Sequence, residues 1–170
     1  MPGRRAPGAE HPTSEQAARR AALLLLARRE FGSPELRNKL LSQGYAPDAV
    51  EAALASLLTE RLLDDGRFLE QFVRVHAGRG QGPARIKQEL SACGFSGEVV
   101  EAALAAGPDF STLCRAVRVR KFGASPPKTW AEKGKQARFL QYRGFSSDHI
   151  RLALGSDPED LEATADSLAE

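Results

Sequence analysis

Hydrophobic and polar positions repeat along the chain with a period of fifty residues. Six positions match in three copies without a shift in register: Leu40, Gly44, Tyr45, Val50, Ala53 and Leu54, then Leu90, Gly94, Phe95, Val100, Ala103 and Leu104, then Leu140, Gly144, Phe145, Ile150, Ala153 and Leu154. Fixed-period self-similarity is the signature of a repeat architecture. The chain is therefore interpreted as three copies of one structural unit.

Each copy predicts a helix, a glycine, an aromatic residue and a second amphipathic helix. The glycines predict helix ends, because glycine readily adopts the left-handed conformation just past a helix. The aromatic residue can pack back on the last turn. In the first copy Val50, Leu54, Leu57 and Leu58 are spaced i, i+4, i+7 and i+8. This spacing predicts one buried stripe.

Helix starts are also visible. Ser33 followed by Pro34 predicts a start, with serine as the cap and proline at the first helical position. Ser96 has the same role in the second copy, and Ser146 or Ser147 in the third. Asp64 and Asp65 are predicted to cap a helix whose apolar and aromatic positions are Phe68, Phe72, Val73 and His76.

A further helical stretch precedes each pair, at residues 15–30, 65–78 and 111–122. The prediction is an all-α protein in which three tandem three-helix modules, 15–63, 64–108 and 109–155, stack into an elongated, curved array. Residues 1–14, rich in proline and without periodicity, are expected to be a disordered tail. Residues 156–170 form an acidic C-terminal segment in which a last short helix is possible from Asp157.

The third copy contains extra chain. Phe122 and Gly123 lie about 21 residues before Gly144, whereas the matching Phe31 and Gly32 lie 12 or 13 before Gly44. The added stretch, 124–135, holds Pro126, Pro127, Lys128, Trp130, Lys133 and Lys135. Insertions of this kind usually lie on the surface, where binding residues are common. The alternative is a longer first helix and loop in which Trp130 fills a gap.

Composition narrows the class of protein. The chain has 170 residues, of which 42% are hydrophobic and 27% charged, which excludes a collagen-like, membrane or wholly disordered protein. The longest apolar run, residues 21–27, is too short to span a membrane, and Arg28 and Arg29 close it at the wrong end for a signal peptide. Cys93 and Cys114 lack metal or disulfide spacing. We therefore expect a cytoplasmic protein.

Charge is unevenly distributed although the net charge is only +2. Residues 111–151 hold 10 lysines and arginines against 2 acids, and residues 152–170 hold 6 acids and no basic residue. The third module is thus a strongly basic block followed by an acidic end. Opposite charges in adjacent segments allow the acidic end to mask the basic block.

No catalytic constellation is visible. His11, His76 and His149 lack the spacing of metal ligands. The glycine-rich run 78–83 superficially resembles a dinucleotide loop, but it follows a helix instead of a strand, and its glycines are read as a sharp turn with Pro83 opening the next helix. We predict no catalytic residue, no metal, no cofactor and no enzymatic activity.

Basic residues recur at positions predicted to be exposed. They are the candidate partner-binding residues: Arg67, Arg74, Arg79, Arg85, Lys87, Arg115, Arg118, Arg120, Lys121, Arg138 and Arg143. Two interpretations stay open at this point. The charges form an ordinary solvated helix surface, or they form an electropositive surface for an acidic partner or a phosphate backbone.

Three strings carry a resemblance to a known family: residues 62–68 (LLDDGRF), 82–90 (GPARIKQEL) and 120–123 (RKFG). Over about residues 15–155 the chain resembles the bacterial regulatory protein RecX family. The resemblance implies a negative regulator of recombination, DNA repair and the SOS response, and we expect the chain to be a monomer. Such a protein binds in the groove of the RecA recombinase filament and inhibits its ATPase, strand exchange and coprotease activities. Single- or double-stranded DNA is a further expected partner, and a small helical DNA-binding module acting through the basic third unit is the alternative.

Overall fold

The structure, a computed structural model, describes residues 13–155. Within this range the chain forms helices and no strand, which confirms the predicted all-α class. The helices are α1 (Glu15–Leu26), α2 (Ser33–Ser42), α3 (Pro47–Thr59), α4 (Asp65–Gly78), α5 (Pro83–Ala92), α6 (Gly97–Ala105), α7 (Phe110–Phe122), α8 (Trp130–Tyr142) and α9 (Ser147–Leu154). Expectations for residues 1–12 and 156–170 lie outside the described range. Ser14, placed in the predicted tail, is the N-cap of α1.

The described residues form two compact units, one ending at Leu69 and the other starting at Glu70. In the first unit α1 and α2 pack on α3. Its core consists of Ala22, Phe31, Leu36, Leu40, Val50, Leu54, Leu57 and Leu63. In the second unit α5 packs on α6, while α7, α8 and α9 pack on one another. Fully buried side chains there include Ile86, Leu90, Val100, Cys114 and Leu140.

The repeated leucine, glycine and aromatic positions form the same helix ending three times. Gly44, Gly94 and Gly144 have φ angles of 90°, 93° and 93°. In each copy the N–H of the aromatic residue donates to the carbonyl of the repeated leucine. The N–H of the glycine donates to the carbonyl of the residue that directly follows this leucine. This pair of bonds is the Schellman motif, which satisfies carbonyl groups left free at a helix end. The sequence prediction of three helix stops is confirmed.

The predicted helix starts are confirmed only in part. Ser146, and not Ser147, caps α9, and its side chain forms a capping box with His149. Ser96 has N-cap backbone geometry without a side-chain cap bond. The prediction for Ser33 is wrong, since Gly32 is the N-cap of α2 and Ser33 is its first helical residue.

An aspartate from another helix takes the place of the Ser33 cap. The backbone N–H of Ser33 donates to Asp65 Oδ1 at 2.7 Å. Asp64 alone caps α4, by accepting from the N–H of Arg67 at 2.9 Å, and this bond lowers the pKa of Asp64. The prediction that both aspartates cap α4 is therefore wrong for Asp65, which connects α4 to the start of α2.

The predicted stripe on α3 also needs one correction. Val50, Leu54 and Leu57 are buried, but Leu58 is 40% exposed. With about 100° between successive helical residues, position i+8 lies about 80° away from position i. Ala53 is completely buried and completes the stripe instead.

The extra chain of the third copy forms a loop and the start of α8. Helix α7 has 13 residues, so it is no longer than α4 with 14. Residues 123–129 form the loop, and α8 begins at Trp130, which is 79% exposed. The alternative in which Trp130 fills a gap is wrong, and the insertion lies on the surface.

Candidate partner-binding surface

Several of the predicted basic residues already have partners within the chain. Arg67 pairs with Glu30 at 3.0 Å, Arg85 with Glu89 at 3.3 Å, and Lys87 with Glu101. Arg74 is exposed and donates to the side chain of Gln71. Exposed ion pairs contribute about 0–1 kcal/mol each. These four residues are thus engaged within the chain, and a partner would have to displace these contacts.

Arg118 corrects the sequence analysis, because its side chain is buried with only 4% of its surface exposed. Its guanidinium donates to the carbonyls of Ser125 at 3.0 Å and Ala124 at 3.1 Å, and to Gln136 Oε1 at 3.3 Å. Arg118 therefore holds the insertion loop against α8. The prediction that it is exposed is wrong, since the loop folds back over the helix face on which Arg118 lies.

Four of the predicted residues lie close to one another where α4, α7 and α8 end. Arg120 and Lys121 belong to the last turn of α7, and Arg79 and Arg143 directly follow α4 and α8; these four residues are here called the basic cluster. Two of them, Lys121 and Arg143, lie against the ring of Phe139 on α8. Sequence separation places Arg79 and Arg143 in different copies of the repeat, so only the folded second unit brings them together.

Specific contacts fix the basic cluster. Lys121 Nζ lies 6.0 Å and Arg143 Cζ 5.2 Å from the centre of the Phe139 ring, which is the arrangement of cation–π pairs. Arg143 also donates to the carbonyl of Arg79 at 3.3 Å. Arg120 lies against Gly80, where an added Cβ would be 3.0 Å from Nη2. The ring of Phe122 meets Phe139 edge-on at 5.3 Å and supports it.

Within residues 13–155 no carboxylate forms an ion pair with any of the four members of the basic cluster. The two acids of the basic block are engaged elsewhere. Glu132 accepts from the backbone N–H groups of Lys128 and Thr129, which lower its pKa, and Asp148 pairs with Arg151 at 2.8 Å. The cluster thus presents uncompensated positive charge, which attracts an anionic partner.

Two further candidates remain outside the cluster. Arg115 and Arg138 are exposed and form no hydrogen bond or ion pair in the part of the chain that the structure describes. Their positive charges add to the potential of the same compact unit.

A groove that the sequence analysis did not identify lies between α5 and α8. It has a volume of about 570 Å³, and its lining includes Arg85, Gln88, Glu89 and Tyr142. Tyr142 is 76% exposed, and Arg85 Cζ lies 5.9 Å from its ring. The sequence feature that could have predicted this groove is the pair of glycines Gly82 and Gly144. Their close approach brings the two helices together.

His76 and His149, the two histidines within residues 13–155, have structural partners. His76 stacks on Phe72 and contacts Glu89 at 2.9 Å, and His149 completes the α9 capping box. Across residues 13–155 there is no group of three or more histidine, cysteine, aspartate or glutamate residues that could hold a metal. Over the same range no helix is long and apolar enough to cross a membrane.

Fold and surface define a class of protein: an all-helical chain of tandem three-helix domains with a basic surface. Family models describe the domains. Residues 18–57 match the first three-helix domain of RecX, residues 64–104 the second, and residues 111–154 the third. The chain belongs to the RecX family, and the prediction of three three-helix modules in tandem is confirmed.

Relatives and solved structures agree with this assignment. The chain is 46% identical over 154 residues to the regulatory protein RecX of Halorhodospira halophila, covering 90% of this chain and 96% of the relative. It is 44% identical to that of Vibrio vulnificus, covering 80% and 90%. The crystal structure of RecX from Lactobacillus salivarius superposes with a TM-score of 0.72 at 22% identity, covering 83% and 94% of the two chains. That likeness supports the fold.

Proposed function

We propose that the chain is a non-catalytic negative regulator of homologous recombination, which binds in the groove of the RecA filament and inhibits its ATPase, strand exchange and coprotease activities. The observation that carries the proposal is membership of a family of regulatory proteins along most of the chain. The basic cluster supports it, because an uncompensated positive surface suits an acidic partner.

Several tandem domains suit a partner that is itself a polymer. Contacts made by separate domains of one chain add to each other through the high effective concentration of the second contact. Individual contacts can then be weak, and a single Arg→Ala change is expected to have little effect. Weakening inhibition through the basic residues should therefore require several of their charges to be reversed together.

The test is the ATPase activity of recombinase filaments on single-stranded DNA, with the protein added after assembly, at rising ionic strength. The variant is the triple charge reversal Arg120→Glu, Lys121→Glu, Arg143→Glu. Its matched control reverses three exposed cations of the first unit, Arg28, Lys39 and Arg61, which changes the net charge equally. We expect the cluster variant to lose most inhibition and the control to keep it. Equal inhibition by the unaltered protein, the cluster variant and the control variant would show that the basic cluster does not contribute to inhibition.

A second candidate function is direct DNA binding, favoured by the same uncompensated charge. It predicts binding to bare nucleic acid with a steep dependence on salt. Filament inhibition predicts instead that activity follows the occupancy of DNA by recombinase. Comparing inhibition with free DNA binding over one salt series separates the two.

A further inference from the structure

The most exposed large hydrophobic side chain in residues 13–155 is Trp130 at 79%. It lies at the start of α8, directly after the insertion loop 123–129. A tryptophan left in water forgoes a large apolar contribution to stability, and exposed tryptophans are over-represented among the residues that dominate protein interfaces. The exposure of Trp130 therefore favours a role in binding a partner.

The loop that presents Trp130 is held at several points. Arg118 binds two of its carbonyls from inside the fold, at Ala124 and Ser125. Thr129 and Glu132 form a capping box at the start of α8, and Glu132 also accepts from the N–H of Lys128 at 2.7 Å. Ordering this backbone before binding lowers the entropic cost of association. The loop is therefore ordered before any partner binds.

Burial of Arg118 strengthens this conclusion. No carboxylate contacts its guanidinium among the described residues, and its buried Nε has no hydrogen-bond partner. Placing a charge in such a position is costly. Stability alone does not explain this arrangement, whereas a requirement to fix the loop does.

A groove and a charge pattern accompany the tryptophan. The groove has a volume of about 410 Å³, and its lining includes Phe122, Pro126, Pro127, Lys128 and Lys135. Residues 123–138 contain four basic side chains and one acid, Glu132. Glu132 also lines the groove, but Lys128 and Lys135 outnumber it, so the net charge of the lining is positive. An acidic partner fits this surface.

We propose that the insertion surface, formed by Pro126, Lys128, Trp130 and Lys135, docks on an acidic protein surface of the recombinase filament, with Trp130 as its buried anchor. This inference rests on the proposed function and names a contact within it. Nucleic acid fits less well, since binding sites for single strands stack successive bases on several aromatic side chains. Trp130 is the one exposed aromatic residue of the described insertion.

The experiment uses the fact that the chain contains a single tryptophan. Full-length protein labelled with 5-hydroxytryptophan can be excited where the ordinary tryptophan of a partner does not absorb. Its quenching by acrylamide is measured alone, with single-stranded DNA, and with preassembled filaments. We expect protection from the quencher with filaments only.

Affinity for filaments is measured in parallel. Trp130→Ala should weaken binding by at least about tenfold, as expected for an interface anchor. The matched control is Leu24→Ala, a large hydrophobic residue of α1 that is 69% exposed and lies outside the candidate surface, which should change affinity less than about threefold. Arg118→Met should weaken binding as Trp130→Ala does. Circular dichroism checks that Arg118→Met is folded. Trp130→Ala tests the surface without changing a buried residue.

Each other outcome overturns the inference. If labelled protein binds filaments while Trp130 stays open to the quencher, the contact is wrong but the proposed function stands. Equal protection by DNA alone would assign the surface to nucleic acid. Equal losses from Trp130→Ala and Leu24→Ala would show that the effect is not local. If the unaltered chain does not bind filaments, the proposed function itself fails.

Discussion

Gly82 lies directly against Gly144 in the second compact unit. The N–H of Gly82 donates to the carbonyl of Arg143 at 2.8 Å, and the N–H of Ala84 donates to the carbonyl of Gly144 at 3.0 Å. A Cβ on Gly82 would lie 2.4 Å from the carbonyl carbon of Gly144. This contact joins the start of α5 to the end of α8, so it connects the second and third three-helix domains through their backbones.

Gly82→Ala is expected to destabilise the protein by about 3 kcal/mol, at the upper end of the cost of overpacking. The backbone of Gly82, with φ of −84°, suits alanine, so the cost is steric. The control is Gly134→Ala in the interior of α8, where the nearest atom to an added Cβ lies 3.5 Å away. That change should stabilise the protein by about 0.5–1 kcal/mol. Urea unfolding measures the stability of both variants. Equal free energies of unfolding for Gly82→Ala and the unaltered protein would contradict the close contact.

The hydrogen bond from Ser33 to Asp65 should contribute measurably to the stability of the first unit. Asp65→Ala leaves the N–H of a buried residue without its acceptor, which costs about 1–3 kcal/mol. Asp65→Asn keeps an oxygen acceptor at the same position and should retain a large part of the stability. Urea midpoints of the two variants test this. A loss below about 0.5 kcal/mol for Asp65→Ala would show that water replaces the carboxylate.

The two thiols should differ strongly in reactivity. Burial raises the pKa of Cys114 to about 11, whereas Cys93 is half-buried. Since the thiolate is the reactive form, only about one Cys114 side chain in a thousand is ionised near pH 8. Ellman's reagent should therefore modify Cys93 first in the native protein and both residues in denaturant. Rapid modification of native Cys93→Ser would contradict the burial of Cys114.

The capping box of α8 should make stability depend on pH on the acid side. Hydrogen bonds from Lys128 and Thr129 hold the pKa of Glu132 below its usual range. The stability that its ionised form contributes is complete above about pH 4.3, the pKa of the unfolded chain, and is lost as the pH falls through the lower folded value. The advantage of the unaltered protein over Glu132→Gln should thus shrink from about pH 6 to pH 3.

Urea unfolding across this pH range makes the measurement. Glu70→Gln is the matched control, because Glu70 is exposed and forms no hydrogen bond within residues 13–155. Parallel curves for the unaltered protein and Glu132→Gln would show that the capping box does not favour the ionised carboxylate.

The candidate site was only partly predictable. The sequence singled out Arg79, Arg120, Lys121 and Arg143, but it did not show that Arg143 reaches Arg79 or that Lys121 and Arg143 share the ring of Phe139. Arg118 and Arg120 each follow a valine in α7. Which of the two is buried depends on where the inserted loop folds, and the loop has no periodicity from which its path could be inferred.

By itself, the sequence determined the helical class, the three repeated units and the glycine ends of their helices. Those features depend on residues close together in the chain, such as Leu140, Gly144 and Phe145, whose hydrogen bonds span a single turn. Tertiary structure decided the contacts between residues far apart. Arg143 donates to the carbonyl of Arg79, 64 positions earlier in the chain. Asp65 accepts a hydrogen bond from the N–H of Ser33, 32 positions earlier. Such pairs form only when helices have packed, because packing, and not local propensity, determines which distant groups meet.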